Sequence, residues 1–226
     1  MVSGEVLILA GDIAPLQDIN HNNAFLQFAS QNYEKVFWVP GNHEYYHNDI
    51  ANYPSSFNFP IGRNIHVVNN ISLDYKGIRF IFTTLWSNIS KPNQSTIEQG
   101  VADFTFIAKN SKKIRATDYN QLHEESLQFL NQRLSATYEK TVVVTHHLPS
   151  HYCNSPQHQD SKINEAFCVD ITEIIRSCKV NFWIYGHSHF NQKPLFIGDT
   201  ILLTNQLGMV QLNEHGSFKP KAYFSI

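Results

Sequence analysis

Four short stretches of this chain carry carboxylate, carboxamide and imidazole groups that could gather around a metal ion: Gly11-Asp12, Gly41-Asn42-His43-Glu44, His146-His147 and Gly186-His187-Ser188-His189. Asp, Asn and His form a hard-to-borderline donor set that suits Mn, Fe, Zn or a similar divalent ion, and no thiolate belongs to it. His187 and His189 share one face of an extended segment. Glycine lets the backbone turn sharply beside a cation. Taken singly, each stretch has a plainer reading, since Gly-Asp is a common corner and paired histidines more often serve the core or the surface. Their shared placement points to one site: each follows a short apolar run, and ligands bind where the strands of an α/β sheet end.

The runs that must position these groups are rich in Val, Ile and Phe: Val6 to Ala10, Val36 to Val39, Ile65 to Val68, Ile78 to Phe82, Thr141 to Thr145, Val180 to Tyr185 and Ile201 to Leu203. Near-continuous apolar runs of this length read as strands buried on both faces. Helical spacing links Leu127, Leu130 and Leu134, and again Ile171, Ile174, Ile175 and Cys178, which predicts two packed helices. Asp118 with Gln121 three residues on marks the expected start of the first. A third helix is expected over Asn22 to Tyr33. Ser87 to Ala116 is polar, contains Pro92 and Gly100, and reads as a poorly specified insertion or as a long loop of the kind that forms lids.

With 226 residues and no break in composition, the expectation is a single α/β domain spanning 1–226. A formal net charge of -2 without a basic block removes the footprint of a protein that grips nucleic acid by its phosphates. Cys153, Cys168 and Cys178 cannot all pair within one chain, which predicts a reducing, cytoplasmic setting. Neither a membrane-spanning run nor an export signal is expected. His21, His47, His66, His123, His151, His158 and His215 belong to no motif and read as surface or loop residues; His151 and His158 would border substrate.

Gly-Asp, Gly-Asn-His-Glu, Thr-His-His after a Val-rich strand, and Gly-His-Ser-His occur here in the order found in calcineurin-like metallophosphoesterases, which the chain resembles over nearly its whole length. Tyr45-Tyr46, Thr84-Leu85-Trp86 and Asn205-Gln206-Leu207-Gly208 are similar to a bacterial branch of that family. The resemblance implies a four-layer αββα sandwich and hydrolysis of phosphomonoesters or phosphodiesters by metal-activated water, with one or two divalent ions per chain. It implies that Asp12 bridges two metals, that Asn42, His146 and His187 bind the second, and that His189 binds the first. His43 matches the histidine that contacts the scissile phosphate and assists the leaving group, with Asn42 beside it at the substrate. Glu44 would orient neighbouring backbone, Tyr45 and Tyr46 would pack, and His147 would stand behind the ligands.

The family normally also begins with a strand ending in Asp-x-His, and no such motif precedes Asp12 in this sequence. Two expectations follow: a mononuclear or weakly dinuclear site, and an open sheet edge beside the strand that leads to Asp12. A longer gene product, or a partner copy that adds a strand, would cover that edge. Loss of catalysis, leaving a phosphate-binding or interaction module, is the alternative outcome. A metallohydrolase acting on a carboxyl ester or amide is a third reading, disfavoured because Gly-Asn-His-Glu has no role in such enzymes.

Overall fold

The computed structural model describes residues 2–19 and 23–226, so His21 and the first residue of the expected Asn22 to Tyr33 helix lie outside it. In chain order the strands are β1 (Val6–Leu9), β2 (Lys35–Trp38), β3 (Asn48–Asp49), β4 (Phe57–Ile61), β5 (Ile65–Asn69), β6 (Ile71–Tyr75) and β7 (Ile78–Thr83). They continue with β8 (Ile107–Lys109), β9 (Lys112–Lys113), β10 (Thr141–Thr145), β11 (Phe182–Ile184), β12 (Leu195–Ile197) and β13 (Thr200–Leu203). One sheet has the order β1-β2-β5-β4, a second β12-β13-β11-β10-β7-β6, and a small third sheet β3-β8-β9. All seven apolar runs form strands.

Alternation explains why those runs are apolar at every position. Phe37 and Val39 face a core between the two large sheets, together with Val68, Phe80, Phe82, Val142 and Val144. Their neighbours Val36 and Trp38 point the other way, into a core roofed by helices, as Ile81, Val143 and Trp183 do on the second sheet. The helices are α1 (Ala24–Asn32), α2 (Gln94–Gly100), α3 (Asp103–Phe106), α4 (Ala116–Leu134) and α5 (Thr172–Ser177). The layers therefore run helix, sheet, sheet, helix, the mixed α/β architecture expected, and α4 reaches both outer cores through Tyr119 and Leu130.

Among the described residues β1 pairs only with β2, so one edge of that strand is open. No helix among them is long and apolar enough to cross a membrane.

Several expectations need correction. Ser87 to Ala116 is not a structureless loop: it folds into α2, α3, β8 and β9, with Ile97, Phe104, Ile107 and Ile114 buried. Elements of two to seven residues are too short for an apolar period to register. Helix α4 starts at Ala116, and Asp118 is not its cap but the third-position partner, accepting the Arg115 backbone N–H at 2.9 Å. The charge also has more structure than its sum: Lys109, Lys112, Lys113 and Arg115 gather around the β8-β9 hairpin, with Lys109 against Asp118 and Arg115 against Glu98.

His123 was expected at the surface and is buried in α4, its Nδ1 2.5 Å from the Trp86 carbonyl oxygen. A carbonyl only accepts, so Nδ1 carries a proton. Burial holds its pKa below the usual histidine value, against the opposing pull of the Trp86 carbonyl. The unfolded chain therefore takes up a proton that the folded one refuses, and stability is lost as pH falls below about 6.5, by at most about 1.4 kcal/mol per pH unit. Urea unfolding at pH 7 and pH 5 should show a smaller loss in His123→Gln than in the wild type; equal losses would contradict this.

Candidate active site

Parallel strands β1, β2, β10 and β11 end on one side of the sandwich, which brings the four stretches together. Glu44 ties the first two. Its buried carboxylate accepts the backbone N–H groups of Asp12 (2.8 Å), Ile13 (2.6 Å) and Gly41 (2.7 Å), and the indole N–H of Trp38 (3.0 Å). Burial, followed by the neighbouring Asp12 charge, pushes this carboxyl up to about 7, against the pull of the Ile13 and Asp12 N–H bonds and of His146. Glu44 thus fixes backbone, as the resemblance implied.

Asp12 adopts φ 60°, His187 φ 72° and His189 φ 51°. Left-handed backbone at non-glycine residues costs on the order of 1–3 kcal/mol each and tends to concentrate at functional sites. The His43 backbone N–H reaches Asp12 Oδ1 at 3.2 Å.

The orientation of each donor follows from its other partner. His146 Nδ1 lies 2.7 Å from the Ala10 carbonyl oxygen, so it must donate there, and in the neutral ring that a metal ligand requires Nε2 carries the lone pair. The Asn42 amide nitrogen donates to the Asp103 carboxylate at 2.7 Å, which turns the Asn42 carbonyl oxygen towards His146 Nε2 at 3.0 Å. His187 Nδ1 is 3.0 Å and Asp12 Oδ1 3.5 Å from the same nitrogen. With both imidazoles neutral, as ligands must be, lone pairs on oxygen and nitrogen converge here with at most one proton, on His187 Nδ1, to share among them. Asp12, His146 and His187 offer ligand atoms within 4.8 Å of one another.

This arrangement fits a divalent cation. Like-signed lone pairs at such spacing repel unless a positive charge sits among them. Burial, and next His147 and His146, hold His187 far below the ordinary histidine pKa, so the ring is neutral as a ligand must be. A Cβ at Gly41 would come within 2.3 Å of Asp12 Oδ1 and 2.7 Å of His146 Nε2, so only glycine leaves this cradle open.

The remaining expected site residues lie around this core. The His43 ring stacks on Tyr46 with centroids 4.3 Å apart. His189 stands outside the three-residue cluster, its Nδ1 2.8 Å from Glu214 Oε2. His147 is buried behind His146, between the Thr84 carbonyl and the Tyr119 hydroxyl. His47, His151, His158 and His215 are exposed, and His66 lies in β5, bonded to Asn58 and Lys35.

One residue escaped the sequence reading. Asp103, buried in α3, accepts from Asn42, from the Tyr46 hydroxyl at 2.7 Å and from the Tyr119 hydroxyl at 2.5 Å. The only hint was an acidic residue inside the otherwise apolar stretch Val101-Ala102-Asp103-Phe104.

Residues 3–191 match the family model described as calcineurin-like phosphoesterase. The chain is a calcineurin-like phosphoesterase. This phosphoesterase is 34% identical over 241 residues to uncharacterized protein L509 of Acanthamoeba polyphaga mimivirus, with 97% of this chain and 83% of that protein covered. Its fold is similar to that of the phosphopantetheinyl hydrolase PptH from Mycobacterium tuberculosis, at TM-score 0.61 and 16% identity over 91% of this chain and 80% of the other. Phosphoester hydrolysis is therefore the general activity of its class, and metallophosphoesterases bind divalent metals.

Proposed function

We propose that this phosphoesterase hydrolyses phosphomonoester or phosphodiester bonds of a phosphorylated small molecule, using a divalent ion of the Mn, Fe or Zn kind. Asp12, Asn42, His146 and His187 would hold the ion, and His189 would join through a second or shared position. The observation that carries this reading is the convergence of the Asn42, Asp12 and His187 donors on the lone pair of His146 Nε2. When bound, such an ion polarises a phosphoryl oxygen and lowers the pKa of water.

The chain's own residues supply the rest. Asp103 keeps the Asn42 oxygen turned inward, and Ala10 keeps the His146 proton on the far nitrogen. His43, fixed by stacking on Tyr46, protonates or hydrogen-bonds the departing oxygen, a role worth roughly 100- to 10,000-fold in rate. The name of the structural neighbour supports a phosphorylated small molecule as the substrate class. The free thiols of Cys153, Cys168 and Cys178 support a reducing, cytoplasmic setting, and the open edge of β1 is where a second copy would add a strand.

A second reading, a phosphate-binding module that keeps at most one ion, is favoured by His189 standing outside the cluster. Hydrolysis of p-nitrophenyl phosphate and bis-p-nitrophenyl phosphate with added Mn²⁺ separates the two. Wild-type turnover that falls at least about 100-fold in both Asn42→Ala and His187→Ala supports the enzyme. The same background rate in all three proteins supports the module.

A further inference from the structure

His189 is held by residues that lie beyond the stretch matched by the family model, which ends at residue 191. Glu214 Oε2 lies 2.8 Å from His189 Nδ1 and also accepts the Met209 backbone N–H at 2.6 Å. A carboxylate oxygen can only accept, so the proton of a neutral His189 ring sits on Nδ1 and Nε2 keeps its lone pair. Without that partner, the two tautomers of a neutral imidazole would compete.

The backbone of the same histidine is clamped as well. Its N–H donates to the Gln206 side-chain oxygen at 2.8 Å, while the Gln206 amide nitrogen donates to Ser188 Oγ (3.0 Å) and to the Phe190 carbonyl (3.1 Å). Gln206 and Gly208 come from the Asn205-Gln206-Leu207-Gly208 motif. Glycine is needed at 208, where φ is 66° and a Cβ would lie 2.6 Å from the Glu214 Cβ and 3.4 Å from the His189 Cβ. The segment that carries Glu214 buries little: Leu207, Met209, Val210 and Leu212 are exposed. Polar bonds rather than a core therefore fasten it, and substitution of Glu214 should leave the sandwich folded.

We infer that Glu214 is a positioning residue: it fixes the His189 tautomer and aim, so that the C-terminal segment completes the metal site from outside the stretch matched by the family model. The inference rests on the proposed role of His189 as a metal ligand. Partners that orient a ligating histidine in this way typically contribute 10- to 100-fold in metal affinity.

The test compares wild type, Glu214→Gln, Glu214→Leu, His189→Ala and Asn42→Ala by calorimetric titration with Mn²⁺ alone, and by ¹⁵N NMR of the metal-free imidazole rings. The expected result is a loss of about 10-fold or more in Glu214→Leu, recovered largely in Glu214→Gln, whose side-chain oxygen accepts the same two N–H groups. The His189 signals should show protonated Nδ1 in wild type and a shift towards the Nε2–H tautomer in the Leu variant. Wild-type Mn²⁺ affinity and an unshifted His189 tautomer in Glu214→Leu, while Asn42→Ala and His189→Ala weaken binding, would overturn the inference alone. Equal losses in Gln and Leu would also overturn it. Indifference of Mn²⁺ binding to both Asn42→Ala and His189→Ala would instead sink the parent reading.

Discussion

Gly41→Ala should reduce hydrolysis at least about 100-fold while leaving the protein folded, a large effect for one methyl group. The added carbon would lie 2.3 Å from Asp12 Oδ1, 2.5 Å from His146 Cε1 and 2.7 Å from His146 Nε2. None of these neighbours can step aside freely. His146 is fully buried and bonded to the Ala10 carbonyl, and Asp12 follows a backbone nailed down by Glu44. The methyl would therefore occupy the space in which the four donors meet. Steady-state rates with p-nitrophenyl phosphate, beside a thermal melt, check this; unchanged kcat and KM in a folded variant would contradict it.

Glu44→Ala should be the most destabilising single change at the site, costing about 3 kcal/mol or more. The carboxylate is completely buried and satisfies N–H groups from the loops after β1 and after β2, together with the Trp38 indole. Removing it leaves several buried donors without partners, each worth roughly 1–3 kcal/mol before relaxation and water entry. Gln would fit the space, yet its amide group would turn N–H bonds towards N–H donors, so Glu44→Gln should recover only part of the loss. Urea midpoints measure both, and an Ala variant as stable as wild type would rule out this account of Glu44.

The strands that build the site were legible because each is buried on both faces. A run such as Val142-Val143-Val144 sends its side chains alternately to the inter-sheet core and to the helix-roofed core, so every position is apolar. The strands that went unread are edge or very short elements. In β4, Asn58, Phe59 and Pro60 are exposed, β6 lies at the end of its sheet, and β3 and β9 have two residues each. In β4 and β6 the apolar residues alternate, as Phe57, Phe59 and Ile61 and as Ile71, Leu73 and Tyr75, rather than forming continuous runs, and two-residue strands carry no period at all.

Asp12, Asn42, His146 and His187 could be found because chemistry-bearing types follow apolar runs directly. Asp103 could not, because its partners Asn42, Tyr46 and Tyr119 lie 61, 57 and 16 residues away and no local pattern announces a buried carboxylate. Glu214, 25 residues beyond His189, was hidden for the same reason. His123 is different: it sits four, seven and eleven residues before Leu127, Leu130 and Leu134, on the apolar face of α4. Its burial was readable from the same periodicity that located the helix.

Everything proposed for catalysis depends on one cation shared by four side chains. Anomalous scattering at the manganese edge, from crystals of the wild-type protein grown with Mn²⁺, addresses that directly. The account predicts a peak lying between Asp12 Oδ1, Asn42 Oδ1, His146 Nε2 and His187 Nδ1. Crystals that hold Mn²⁺ elsewhere, or nowhere, with those four groups merely hydrogen-bonded to one another, would contradict it.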